Sequence, residues 1–67
     1  MPSILTKREK EIFELIVLNY STDEIASRLF VSSKTVRNHI SNVMQKLGVK
    51  GRTQALVELL KLKEIKI

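Results

Sequence analysis

At 67 residues the chain lies near the lower limit at which one hydrophobic core holds a fold unaided, so a single domain over residues 1–67 is expected. It has no cysteine and one histidine, which excludes disulfides and thiolate metal sites, and neither a metal nor any other cofactor is expected. The net charge is +5; no apolar run approaches the roughly 18 residues that cross a bilayer, and no basic-then-apolar leader opens the chain, so a cytoplasmic protein without a membrane partner is expected.

After a short arm, Met1 to Leu5, Thr6 followed three residues later by Glu9 is a capping box, and a helix is expected over about residues 7–18. Ile12, Phe13, Leu15, Ile16 and Val17 give it a broad apolar side, with Lys7, Lys10, Glu11 and Glu14 in water. Asn19 and Tyr20 interrupt the pattern, and asparagine tolerates the left-handed conformation that stops a helix. Ser21 and Glu24 form a second capping box, with Asp23 adding negative charge where the helix dipole favours it. Ile25, Ala26 and Leu29 make this second helix short and one-faced, ending near Leu29. Phe30 and Val31 leave room only for a tight corner before Ser32, the next cap. Two helices joined this way form a helix-turn-helix, whose second helix enters the major groove of DNA.

The third helix follows Ser32, with Val31 and Val36 placed to form a hydrophobic staple around the cap. Val36, Ile40, Val43 and Leu47 fall at i, i+4, i+7 and i+11, a narrow buried stripe flanked by Met44. The opposite side carries Lys34, Arg37, Asn38, Ser41 and Gln45, hydrogen-bonding side chains with a basic bias and no carboxylate. Such a face suits DNA. Arg37 has the geometry to pair with guanine and Asn38 with adenine, or either could meet only phosphate. His39 borders the stripe, where packing with a hydrogen bond to a phosphate or carbonyl suits it better than catalysis. Gly48 ends the helix just after Lys46.

Val49-Lys50-Gly51-Arg52 makes a basic turn, and a fourth helix is expected from Thr53 to about Leu62. Its apolar residues cover more than half its circumference. Ala55, Leu56, Leu59 and Leu62 are expected to face inward. Thr53, Val57, Leu60 and Lys61 then form a second patch that fits a partner helix, or leaves Val57 an ordinary exposed residue. Lys63 to Ile67 alternates apolar and charged, as either a frayed helix end or a tail lying on the domain. No strand pattern and no repeat occurs, so the fold class is all-α with four helices.

Charge is unevenly placed. Residues 1–24 carry Lys7, Arg8 and Lys10 against Glu9, Glu11, Glu14, Asp23 and Glu24, a sum of −2. Residues 25–57 carry Arg28, Lys34, Arg37, Lys46, Lys50 and Arg52 and no carboxylate, a sum of +6. This is the footprint of a polyanion ligand, or of a solvated basic surface. An enzyme is not expected: there is no nucleophile with a base and no carboxylate pair in a pocket, and the only glycines, at 48 and 51, form no phosphate loop.

Leu5-Thr6-Lys7-Arg8-Glu9, Glu24-Ile25-Ala26, Leu29, Val31-Ser32, Thr35-Val36-Arg37, His39, Ile40, Lys46-Leu47-Gly48-Val49 and Arg52-Thr53-Gln54-Ala55 together carry a resemblance to the LuxR-type helix-turn-helix DNA-binding domain. Within that family the chain is especially similar to its free-standing spore-formation regulators. The resemblance implies a transcriptional regulator, activating or repressing, that binds double-stranded DNA as a homodimer and contacts RNA polymerase. It implies base contacts from Arg37, Asn38 and Ser41, and phosphate contacts from Ser33, Lys34, Thr35, Lys46 and Arg52. The fourth helix, with Thr53, Val57, Leu60 and Lys61, is implied as the dimer contact. The family often has glycine where Asn19 or Tyr20 stands and near Lys63, so a different first turn and a longer fourth helix are expected. A promoter-reading sigma-factor domain and a helical protein-protein adaptor are the alternative readings.

Overall fold

The computed structural model of the chain describes residues 3–66. They form four helices, α1 (Lys7–Val17), α2 (Thr22–Leu29), α3 (Ser33–Leu47) and α4 (Arg52–Lys61), with no strand among the described residues. Met1, Pro2 and Ile67, the outer ends of the expected arm and tail, lie outside the described residues.

The starts are those the capping residues dictate. The Thr6 hydroxyl accepts from the Glu9 amide at 3.1 Å while the Thr6 amide donates to the Glu9 carboxylate at 2.9 Å. Ser21 and Glu24 repeat the exchange at 3.1 and 2.8 Å. The Ser32 hydroxyl accepts from the Thr35 amide at 3.1 Å. α4 starts at Arg52, one residue before the expected Thr53, after a Gly51 cap that contributes no side chain.

All four helices stop by one device. Asn19 (φ 70°), Phe30 (φ 58°), Gly48 (φ 68°) and Lys63 (φ 59°) are left-handed. Beyond them, the amides of Tyr20, Val31, Val49 and Glu64 donate back to the carbonyls of Leu15, Ala26, Met44 and Leu59 at 2.9–3.1 Å. This pattern satisfies carbonyls that a helix end leaves free, and it favours glycine at the left-handed position. Three of the four stops lack glycine. The expectation that α4 runs on in its absence is therefore corrected: Lys63 turns the chain anyway.

That turn also corrects the expected inward face of α4. Leu62 is 53% exposed, and Ile65 is the residue buried instead, at 2%. Leu62 is the last residue before the turn, its amide still donating to the Glu58 carbonyl at 2.9 Å, and the turn at Lys63 folds Ile65 rather than Leu62 onto the core. Leu56 and Leu60 are both half-buried against the core. Of the two readings of residues 63–67, the tail lying on the domain is the one seen up to Lys66. The Ser3 hydroxyl donates to the Glu64 carboxylate, joining arm and tail.

The core is Ile12 and Phe13 of α1, Ile25 and Ala26 of α2, Val36, Ile40 and Val43 of α3, and Ala55 and Leu59 of α4, closed by Leu5 and Ile65. α3 packs against each of the other three helices. Its buried stripe is the axis of the molecule, so its opposite face is held rigidly outward.

Candidate nucleic-acid interface

Lys34, Arg37, Asn38, Ser41 and Gln45 are all exposed, as the helical period requires. Among the described residues none of these five side chains is hydrogen-bonded or ion-paired to another protein group. The face therefore offers unspent donors and acceptors on a helix whose opposite side is locked in the core. His39 is half-buried beside it and Met44 packs against the core.

The flanking residues are differently placed. Ser33, the first residue of α3, donates its hydroxyl to the Asp23 carboxylate at 2.5 Å. The Thr35 hydroxyl lies 3.0 Å from that of the Ser32 cap. The Arg52 guanidinium donates to the Thr22 hydroxyl at 3.1 Å, tying the start of α4 to the start of α2 while keeping its full charge. Lys46 stands apart: its ammonium donates to the Glu9 carboxylate at 2.5 Å and to the Ile4 carbonyl at 3.1 Å.

These contacts sort the six cations of the carboxylate-free block. The Arg28 guanidinium sits over the Tyr20 ring, 4.8 Å from its centroid. Lys46 is charge-paired with Glu9. An aromatic face does not neutralise a cation, so among the described residues Arg28, Lys34, Arg37, Lys50 and Arg52 keep uncompensated charge, and all five are exposed.

Glu9 is 3% exposed, the one buried charged residue among those described. Burial works to raise its pKa, but the hydrogen bonds from Lys46 and Thr6 and the Lys46 charge outweigh it, holding the carboxyl below the ordinary 4.5. The Glu24 carboxyl is also held below 4.5, by its hydrogen bonds with the Ser21 backbone and side chain.

On α4, Thr53 and Lys61 are exposed, Val57 is 44% exposed and Leu60 is half-buried. Val57 lines an open groove of about 550 Å³ together with Val49, Lys50, Thr53, Gln54 and Glu58. Leu60 thus gives the core part of the surface expected of it in the second patch. Sequence reasoning missed Asp23 and Thr22 as partners of α3 and α4, and Glu9 as the partner of Lys46. Each pair joins different helices, and no spacing rule within one helix reports it.

The sequence profile of bacterial regulatory proteins of the luxR family matches residues 3–59. The chain is 67% identical over 64 residues to spore germination protein GerE of Bacillus subtilis strain 168, covering 96% of this chain and 86% of that protein. It is 50% identical over 58 residues to transcriptional regulatory protein DegU of Brevibacillus brevis, covering 87% of this chain but only 25% of the relative. Among solved structures, that of the transcription factor GerE superposes with a TM-score of 0.94 at 60% identity, covering 97% of each chain. Response regulator ChrA of a heme-sensing two-component system superposes with a TM-score of 0.87 at 32% identity, over 97% of this chain and 32% of that one.

Proposed function

The chain belongs to the luxR family of bacterial regulatory proteins and is a DNA-binding transcriptional regulator of the helix-turn-helix type, and from that premise we propose that residues 1–67 act as one unit that reads double-stranded DNA as a homodimer. α3 lies in the major groove. Arg37, Asn38 and Ser41 meet base edges, and Lys34, Thr35 and Arg52 meet the phosphate backbone together with Ser33, which does so through its backbone amide because its hydroxyl proton is held by Asp23. The observation that carries this reading is the exposed, carboxylate-free face of five unpaired polar side chains on a helix clamped by its opposite side. Lys50 and Arg52 extend the same positive surface past Gly48.

α4 forms the dimer contact, with Val57 at the two-fold axis and Thr53, Leu60 and Lys61 around it. Val57 is one of five large apolar side chains exposed among the described residues, and the groove beside it gives a second copy somewhere to seat. Two recognition helices then reach half-sites about one turn of DNA apart, roughly 34 Å. By similarity to spore germination protein GerE, the regulated genes are sporulation genes, activated or repressed in the cytoplasm through contact with RNA polymerase. No enzymatic step belongs to this reading. Selection of bound sequences from random duplex DNA tests it: a two-fold symmetric consensus is expected, and recovery of unenriched sequence contradicts it.

A further inference from the structure

We propose that Glu9 withholds Lys46 from DNA, which makes Lys46 a positioning residue that sets the recognition helix against α1 rather than a phosphate contact. The inference rests on the placing of α3 in the duplex and concerns which of its cations the duplex meets.

Three observations carry it. First, the Lys46 ammonium spends two of its three donors inside the protein, on Glu9 at 2.5 Å and on the Ile4 carbonyl at 3.1 Å. Second, its counter-charge is fixed. Glu9 is buried at 3%, and its carboxylate also receives the Thr6 amide at 2.9 Å as half of the α1 capping box, so it cannot follow Lys46 outward. Third, Lys46 lies about 120° around α3 from the centre of the face formed by Lys34, Arg37, Asn38, Ser41 and Gln45, at 3.6 residues per turn. It stands on the flank of the helix, above α1 and away from the groove floor, so a phosphate is the one DNA group it could meet, and its pairing with Glu9 decides whether it does.

The consequences are geometric and electrostatic. One side chain ties the last turn of α3 to the first turn of α1 and to the N-terminal arm, whose Leu5 is buried. The tilt of α3, and so the register of Arg37 and Asn38 against base edges, is held at this end by that contact. At the other end the Ser33 hydroxyl is held by Asp23. The pair contributes no net charge toward the duplex. Without the Glu9 charge, the same ammonium is a free cation on the flank that passes the phosphate backbone.

The salt dependence of binding to a short non-specific duplex, followed by fluorescence anisotropy, separates the roles, because each phosphate neutralised adds about −0.9 to the slope of log affinity against log salt. Glu9→Gln keeps a carbonyl for the cap and for Lys46 but removes the charge, and its slope is expected to steepen by about 0.9 per subunit. The double variant Glu9→Gln with Lys46→Gln removes both charges and leaves no buried ion unpaired. Its slope is expected to equal that of the wild type, while its discrimination between a selected site and a scrambled one falls several-fold. A double-variant slope shallower than wild type by about 0.9 per subunit makes Lys46 a phosphate contact and overturns the proposal. So does an unchanged slope for a folded Glu9→Gln, and so does unaltered discrimination in the double variant. Circular dichroism establishes that each variant is helical; if Glu9→Gln alone fails to fold, the double variant decides. Failure of the wild-type protein to bind DNA is a separate outcome, and it removes the reading beneath the proposal as well.

Discussion

The Ser33 hydroxyl donates to the Asp23 carboxylate at 2.5 Å, so α2 supplies the negative charge that the first turn of α3 lacks. An acid there favours the positive end of the helix dipole. It also opposes an approaching phosphate. Asp23→Asn is therefore expected to tighten non-specific DNA binding a few-fold at low salt while lowering stability by about 0.3–1 kcal/mol. Anisotropy titration and urea melts of the same variant check both signs.

The left-handed stops give a second expectation. A non-glycine residue in that conformation carries roughly 1–2 kcal/mol of strain, partly offset on replacement by the greater freedom of glycine in the unfolded chain. Phe30 is 94% exposed, so Phe30→Gly sacrifices almost no packing. It is expected to stabilise the fold by about 0.5–1 kcal/mol, or several degrees in melting temperature. Lys63→Gly is expected to act in the same direction. Destabilisation at Phe30 would place its side chain in a contact absent from this fold.

Acid sensitivity follows from Glu9. Its folded pKa lies below the ordinary 4.5, so the native state holds its proton more weakly than the unfolded chain does. That contribution is full above the unfolded value and is lost as pH falls through it toward the folded one. Glu24 has the same sign. Stability measured from about pH 6 down to about pH 3 is expected to fall less steeply in Glu9→Gln than in the wild type. An identical acid limb in both would remove Glu9 as a source.

Dimerisation through α4 is tested at Val57. Val57→Glu sets two carboxylates face to face at the axis, where like charges are worth several kcal/mol, so self-association is expected to weaken by about a hundredfold or more. Light scattering should then report a folded monomer that binds one half-site weakly. A wild-type protein that stays monomeric on each half-site would make Val57 an ordinary exposed residue.

How far the sequence reached follows from how local each feature is. Thr6 with Glu9, Ser21 with Glu24, and Ser32 act within one turn, so three helix starts were legible to the residue. The stripe from Val36 to Leu47 made the outward face of α3 legible by the same periodicity. Glu9 was legible as a cap but not as the buried partner of Lys46, because the two are 37 positions apart and meet only once α1 packs on α3. Phe30 and Lys63 gave no sign of their left-handed turns, since neither residue favours that conformation and the pull of packed Val31 and Ile65 is tertiary. Leu62 was misplaced for the same reason. A helical period assigns Leu62 a face, but it carries no information on the turn at Lys63 that brings Ile65 onto the core instead.

The central claim, that the outward face of α3 reads sequence in the major groove, is tested most directly by Arg37→Ala. Affinities of wild type and variant would be measured on the selected site and on each of its single base-pair substitutions at one salt concentration. The account predicts that the variant loses about 1–3 kcal/mol of discrimination at one base pair of each half-site and keeps its preferences elsewhere. Lys34→Ala, by contrast, should weaken all duplexes alike. Equal loss on every duplex for Arg37→Ala would contradict the claim for Arg37 and leave it a phosphate contact.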